Sequence, residues 1–395
     1  MQPDVKPVLD LLNGFRASQT LLTAVQLGLF ECLEHTNELS VDGLASALAH
    51  RLPGSPAPSL DGLDRLCRAC VALGLLSSPA NGQFALTDAA RAYLLASAPQ
   101  SLAGYCVHSS QVVWPLFGGL PAAVTTGSNV WQQQFGAPGS DVFARVYDTP
   151  GAVRRFMSGM HSFATLSAPA VVRAFDLSFA TRLLDLGGAT GALAAAACAA
   201  YPSLEEAVVV DLPHVLELAQ RHFAPTAAPR EPAAPAEVQG AGGGGGGGFG
   251  GGGDGGGSGG GGSGDCGCNG RLRWLAADFF TETDKLPQQV DLVVLSRILH
   301  DWDGPRCAQL LARVHGLLRP GGAVLVAEML LQPDRLGPPA ALLQDLNMLC
   351  QTHGRERSLA EYEQLLQAAG FVDVRGHVTG TYLDAVLARK PEQHL

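Results

Sequence analysis

The stretch TRLLDLGGATG, residues 181–191, decides the fold. An apolar run ends in the acid Asp185, breaks into glycines at Gly187, Gly188 and Gly191, and passes without a breaker into the alanine-rich segment from Ala192 to Tyr201. Strand, glycine turn and helix in that order make the first half of a βαβ unit. The glycines let backbone approach a ligand closely, and the helix N-terminus presents oriented N–H groups to it. Such turns are common, and this one lacks the spacing of the usual dinucleotide motif, so its neighbours must carry the interpretation.

Reading downstream, short apolar strands alternate with helical segments. EAVVVDLP is followed by a helix from His214 to Phe223, then LRWLAADFF and VDLVVLSRI, a helix from Pro305 to Leu318, and AVLVAEMLL. Apolar strands separated by helices of this length predict a parallel sheet covered on both faces. A helix from Leu359 to Ala369 then leads to VDVRGHV and TYLDAVLARK, too close in sequence to be anything but antiparallel neighbours. Asp211 ends the second strand, where a carboxylate either accepts from ribose hydroxyls or caps the next helix. Asp278, followed by Phe279 and Phe280, ends the third. Acids closing three successive strands suit a nucleoside carrying a cationic sulfonium better than a pyrophosphate, and point away from NAD.

Upstream, the apolar residues from Val8 to Leu33 recur at helical spacing with few charges on any face, so this helix must be covered by its own domain or by a second subunit. VDGLASAL, LDGLDRLCRACVALGLL and a short hairpin around QFALTDAARAYLL complete the order of a winged helix-turn-helix. Its third helix offers only Arg65 and Arg68 as cations, which favours packing or dimerisation over DNA binding. A mostly helical middle section from Leu102 to Leu177 holds Trp114, Phe117, Trp131, Phe135, Phe143 and Tyr147, aromatics suited to a core or to one wall of a pocket.

The bulk properties agree. With 395 residues, 47% of them hydrophobic, the chain is long enough for two cores. A net charge of −10 disfavours a nucleic-acid partner, and no apolar run reaches the roughly 18 residues of a membrane span. The acids Asp4 and Asp10 do not suit a secretory leader, and the nine cysteines are odd in number and scattered, so a reducing, cytoplasmic setting is expected. Cys67 and Cys70 fall on one helical face as core residues, and Cys266 and Cys268 lack a second ligand pair, so no metal is expected. Residues 225–270 are Ala/Pro-rich and then nearly pure Gly/Ser, a composition expected to be disordered.

The fourth strand leads into Ser-Arg-Ile-Leu-His-Asp-Trp, residues 296–302. A histidine at the carboxyl end of a parallel strand faces the ligand crevice, and an ordinary imidazole is largely neutral at pH 7 and able to accept a proton. Glu328, closing the fifth strand, and Glu356, in THGRERS, are placed to orient His300 and stabilise its charged form.

These motifs resemble a family. RILHDW, DLGGATGAL, the DFF strand end, LRPGGAVLVAEMLL, LNMLCQTHGRERS and EYEQLLQAAGF together are similar to those of the acetylserotonin O-methyltransferases and acetylserotonin O-methyltransferase-like proteins, relatives of plant caffeate-type enzymes. The resemblance spans nearly the whole chain outside the Gly-rich insert. It implies an α/β fold: a class I methyltransferase Rossmann-like sheet with an antiparallel last strand, preceded by a mostly helical winged-helix dimerisation domain. The domains would run over 1–105 and 106–395, the latter interrupted by 225–270.

It further implies S-adenosylmethionine as cofactor, a small aromatic hydroxyl such as that of N-acetylserotonin as acceptor, and a homodimer. His300 matches the general base, with Glu328 and Glu356 holding it. Tyr147, Gly187, Asp211, Asp278, Phe279 and Arg297 match cofactor-contacting positions, and Asp301, Asn347 and Gln351 match substrate-contacting ones. Two positions depart from the pattern: Ala189 replaces a usual glycine of the turn, and Ala164 stands where acetylserotonin methyltransferases have a tryptophan. Two readings therefore stand at this point. The intact His300, Glu328 and Glu356 favour an active O-methyltransferase; Ala189 and Ala164 favour a catalytically weak or silent relative acting as a binding or regulatory dimer. Replacing residues 225–270 by a short linker should leave soluble protein with unchanged activity; its insolubility would make the insert a structural element.

Overall fold

In the computed structural model the chain is described over residues 3–51, 56–80, 82–136, 149–223 and 270–392. Tyr147, Phe143, Cys266, Cys268 and all but the last residue of 225–270 lie outside them. The sheet that organises the structure has seven strands: β1 (Arg182–Leu186), β2 (Glu206–Asp211), β3 (Leu272–Ala276), β4 (Val290–Ser296), β5 (Leu318–Glu328), β6 (Val372–His377) and β7 (Asp384–Arg389). Their spatial order is β6-β7-β5-β4-β1-β2-β3. β1 pairs in parallel with both β4 and β2, so connections run outward in both directions from the β1–β4 seam. That seam is the topological switch point, and ligands of open α/β sheets bind outside the strand ends there.

Burial explains why the strands were readable. β1, β2, β4 and most of β5 are buried on both faces, as a parallel sheet sandwiched between helices requires, and their sequences are continuous apolar runs. The two edges differ: β3 holds only exposed and half-buried residues, and β6 is largely exposed and carries Asp373, Arg375 and His377, charges that discourage edge-to-edge association. β7 runs antiparallel to β5, with Val386 opposite Val326, which gives the sheet its reversed strand. One apolar core fills each face, one around Leu183, Val209, Val294 and Leu325, the other around Leu184, Val293, Leu311 and Val326.

The N-terminal part builds its own core from Leu22 to Cys106. Helices Lys6–Leu27, Val41–Arg51 and Leu60–Ala72 pack beside a three-stranded antiparallel sheet in which Gln83–Leu86 lies between Leu39–Ser40 and Leu76–Ser77. This is the winged-helix order. Cys67 and Cys70 are fully buried in that core, and burial pushes their thiols up to about 12 and about 11, so they are inert packing groups. Arg65 and Arg68 are each paired with an aspartate one turn earlier, Asp61 and Asp64, at 3.0 and 2.7 Å. Neither cation is directed outward alone. The first helix is covered only over its C-terminal half: Leu22, Ala24 and Val25 are buried, whereas Leu11 is 81% and Phe15 55% exposed. No helix among the described residues is long and apolar enough to cross a membrane.

The connecting section is helical, as expected, through Ala103–His108, Trp114–Gly118, Leu120–Thr126, Trp131–Phe135 and Pro150–Val171. Trp131, Phe117 and Phe135 pack against Leu349 and Cys350 of the helix Pro339–Gln351, and the Trp131 indole N–H donates to the Gln351 carbonyl at 2.7 Å. These aromatics thus join the connecting section to the helix that runs into the 352–357 loop.

Candidate active site

The turn after β4 brings the candidate residues together. Arg297 enters it in the left-handed region at φ 56°, a conformation costly for a residue with a Cβ, and Leu299–Asp301 then form a single 3-10 turn. Glu328, at the end of the adjacent β5, stabilises it. Its Oε1 accepts from the backbone N–H groups of Ile298 and Leu299 at 3.0 Å each and of His300 at 3.3 Å. Three amide donors on one charged oxygen fix the turn against the end of the sheet.

His300 is buried, and its imidazole lies between the two glutamates. Nδ1 is 2.7 Å from Glu356 Oε1 and 3.4 Å from Glu328 Oε2. Both carboxylates lie on the Nδ1 side of the ring, so a proton on Nδ1 would leave the lone pair on Nε2. Asp301 Oδ1 lies 3.7 Å from Nε2. Burial raises the carboxyl groups: Glu356 is pushed up to about 8, with Arg297 opposing the rise, and Asp301 to about 6, with His300 opposing it. Burial also raises Glu328, again against His300. Burial therefore favours the neutral forms of these acids, and the neighbouring Arg297 opposes it. His300, Glu328 and Glu356 also bring ligand atoms within 4.8 Å of one another, a spacing that a metal ion can use. Glu328 Oε1, however, is already engaged by three amides and Nδ1 by Glu356.

The glycine turn faces this turn across the β1–β4 seam. Gly187 has a φ of 69°, which strains any residue with a side chain, and a Cβ there would come within 2.5 Å of Ile298 Cδ1, whose side chain would have to move. Gly191 is confined in the same way by Trp274, at 2.9 Å. Ala189 adopts φ 44°, a left-handed conformation that glycine takes freely and alanine does not. Its amide donates to Asp211 Oδ2 at 3.0 Å, while Asp211 Oδ1 accepts from Leu212 N–H at 2.8 Å. Asp211 thus ties the glycine turn to the start of the next helix, as well as closing β2.

Asp278 lies just beyond β3, in a turn of its own making. Its oxygens accept from the Phe280 amide at 2.7 Å and the Thr281 hydroxyl at 2.8 Å, and this is why the strand stops at Ala276. The Arg297 guanidinium stacks over Phe163 at 5.1 Å, and its Nε and Nη1 are buried without a protein partner. On the helix Pro339–Gln351, Gln351 Nε2 donates to Asn347 Oδ1 at 2.5 Å and Asn347 Nδ2 donates to Gln344 Oε1 at 3.4 Å. The expected pair Asn347 and Gln351 is therefore part of a longer amide ladder.

Sequence reasoning missed three contributors. Gln344 ends that ladder with a buried Nε2 that has no protein partner. His161 hydrogen-bonds Thr190 of the glycine turn at 2.8 Å, linking it to the helix Pro150–Val171 that also carries Ala164. Arg357 is buried beneath the His300 turn. Helical spacing from Asn347 would have found Gln344; the other two contacts are long-range and leave no local signal.

Comparison with known proteins accords with this geometry. An O-methyltransferase domain model matches residues 117–233 and 265–372, and an O-methyltransferase dimerisation domain model matches residues 9–96. The acetylserotonin O-methyltransferase of Bos taurus is 36% identical over 96% of each chain. The probable bifunctional dTTP/UTP pyrophosphatase/methyltransferase protein of Homo sapiens is 35% identical over 97% of this chain and 53% of its own. The crystal structure of human N-acetylserotonin methyltransferase in complex with SAM superposes with a TM-score of 0.82 at 31% identity, covering 99% of each chain.

Asp185, at the end of β1, adds a pH signature. Its carboxylate is fully buried, and burial pushes the group up to about 7, with the Ala194 backbone amide opposing the rise and the charge of Asp211 adding to it. In the unfolded chain it ionises near pH 4. The folded form therefore holds a proton that the unfolded form has lost between about pH 4 and 7, and stability falls across that window by up to ~1.4 kcal/mol per pH unit. Without added ligands, the melting temperature of wild type should drop from pH 5 to pH 8, and that of Asp185→Asn should drop less. Equal slopes would show that Asp185 is ionised in the folded chain throughout.

Proposed function

The chain belongs to the S-adenosylmethionine-dependent O-methyltransferase family, and on that premise we propose that it methylates the hydroxyl of a small aromatic acceptor, with His300 as the general base. The observation that carries the proposal is the 2.7 Å hydrogen bond between Nδ1 and Glu356, which leaves Nε2 as the basic nitrogen. Glu328 and Glu356 act as its orienting carboxylates and Asp301, beside Nε2, as a substrate contact. A phenolic hydroxyl has a pKa near 10, so it is protonated at neutral pH and needs a base as it reacts. As Nε2 takes that proton, the two buried glutamates stabilise the imidazolium. Most of the acceleration is expected from holding the reacting groups at near-attack distance, and the base adds a factor of roughly 10² to 10⁴.

The residues around the β1–β4 seam suit the cofactor. S-adenosylmethionine, when bound, supplies an electrophilic methyl on a sulfonium centre. Gly187 provides the close backbone approach, Asp211 and Asp278 the carboxylates at the strand ends, and Phe279 an aromatic face. Arg297 has buried N–H groups to donate. Tyr147 is proposed with them from the family pattern alone. The amide ladder through Asn347 and Gln351 suits an acceptor that carries its own amide, and N-acetylserotonin, named for the relatives, meets that description. We place the dimerisation domain over 1–105 and the catalytic domain over 106–395. The uncovered Leu11 and Phe15, within the matched dimerisation region, support a homodimer through the first helix.

A second reading, a catalytically weak or silent relative acting as a binding or regulatory dimer, is favoured by the left-handed Ala189. Calorimetry with S-adenosylmethionine followed by a labelled-methyl assay against a panel of phenols separates the two. The main reading expects binding and transfer; binding without transfer to any phenol supports the second, and no binding at millimolar cofactor ends the enzyme reading and leaves the second standing. His300→Ala should bind cofactor near normally and lose two or more powers of ten in turnover. Unchanged turnover would remove the base assignment. Dialysis against a chelator should leave activity intact, because the buried triad is read as a hydrogen-bonded base; loss restored by a divalent ion would make it a metal centre.

A further inference from the structure

The turn that carries His300 is held from two sides, and only one of them is a glutamate. Arg357 is 97% buried, and its guanidinium fork closes on the carbonyls of the same turn. Nη1 donates to Leu299 O at 2.8 Å and to Arg355 O at 3.2 Å, and Nη2 donates to Trp302 O at 2.9 Å. The Cys307 thiol adds a contact to Leu299 O at 3.2 Å and lies 3.6 Å from Nη2. Glu328 therefore takes the amides of residues 298–300 while Arg357 takes the carbonyls of residues 299 and 302.

Arg357 also follows Glu356 directly. Arg357–Ser358 pairs in parallel with Leu330–Leu331, with Arg357 opposite Leu330, so this short segment is registered against the chain that has just left Glu328. One extended dipeptide thus reaches the imidazole with its first side chain and the backbone beneath that imidazole with its second. Gly354 tightens the frame: a Cβ there would overlap the His300 carbonyl oxygen, so the loop lies directly on the turn.

We propose that Arg357 is a positioning residue for methyl transfer, fixing the His300 turn relative to Glu356 through its hydrogen bonds to Leu299 O and Trp302 O. It rests on the reading of His300 as base, and it adds to that reading a residue that touches neither substrate nor cofactor. A fork is needed because two carbonyls three residues apart must be held at once; a lysine in its place offers a single ammonium. Misplacing a catalytic group by about 1 Å costs on the order of a hundredfold.

The test compares Arg357→Lys, Arg357→Gln and Arg357→Met with His300→Ala, reading cofactor affinity by calorimetry, melting temperature, and kcat and KM with the best phenol found in the panel. For Arg357→Met the expected result is a kcat lower by roughly 10- to 100-fold with cofactor affinity and KM within about threefold of wild type. Arg357→Lys and Arg357→Gln should each recover part of the loss. Unchanged kcat in a folded Arg357→Met, a loss confined to KM, or failure of all three variants to fold would overturn the proposal. If His300→Ala keeps full turnover, the base reading fails instead; if it is inactive while Arg357→Met is normal, only the role of Arg357 falls.

Discussion

Three backbone amides pointing at a single carboxylate oxygen of Glu328 hold the candidate site together. The chain leaves β4 through a left-handed Arg297, and it can do so because the turn that follows is bonded to the neighbouring strand rather than left in a loop. Every later feature of the site uses the frame this creates. The imidazole is aimed by Glu356, and Ile298 of this turn packs against Gly187 of the glycine turn opposite.

The arrangement carries an electrostatic cost that its neighbours offset. Two buried glutamates around one imidazole are pushed toward their neutral forms by desolvation, and Arg297 or His300 opposes that in each case. Asp185 and Asp211, both buried and raised, repeat the pattern on the other side of the seam, where a cationic ligand would satisfy them.

The sheet was legible in the sequence because buried parallel strands are continuous apolar runs, and its reversed strand because VDVRGHV and TYLDAVLARK are too close for a crossover. The end of β3 was not, since Asp278 accepts from the Phe280 amide and begins a turn two residues before the apolar pattern stops. Ala189 was visible as a departure, but that it takes φ 44° while bonded to Asp211 comes only from the fold. His300 and its glutamates were marked by their places at strand ends and by family resemblance. Arg357 was invisible: its partners are carbonyls 55 and 58 residues earlier, and nothing local separates it from the exposed arginine two positions before.

The central claim is that Glu356 fixes the tautomer of His300 so that Nε2 presents a lone pair. Nitrogen NMR of the protein labelled at histidine, assigned by comparison with His300→Gln, reads that directly. The account predicts that the neutral ring carries its proton on Nδ1 and leaves Nε2 bare. A neutral ring protonated on Nε2 would contradict it.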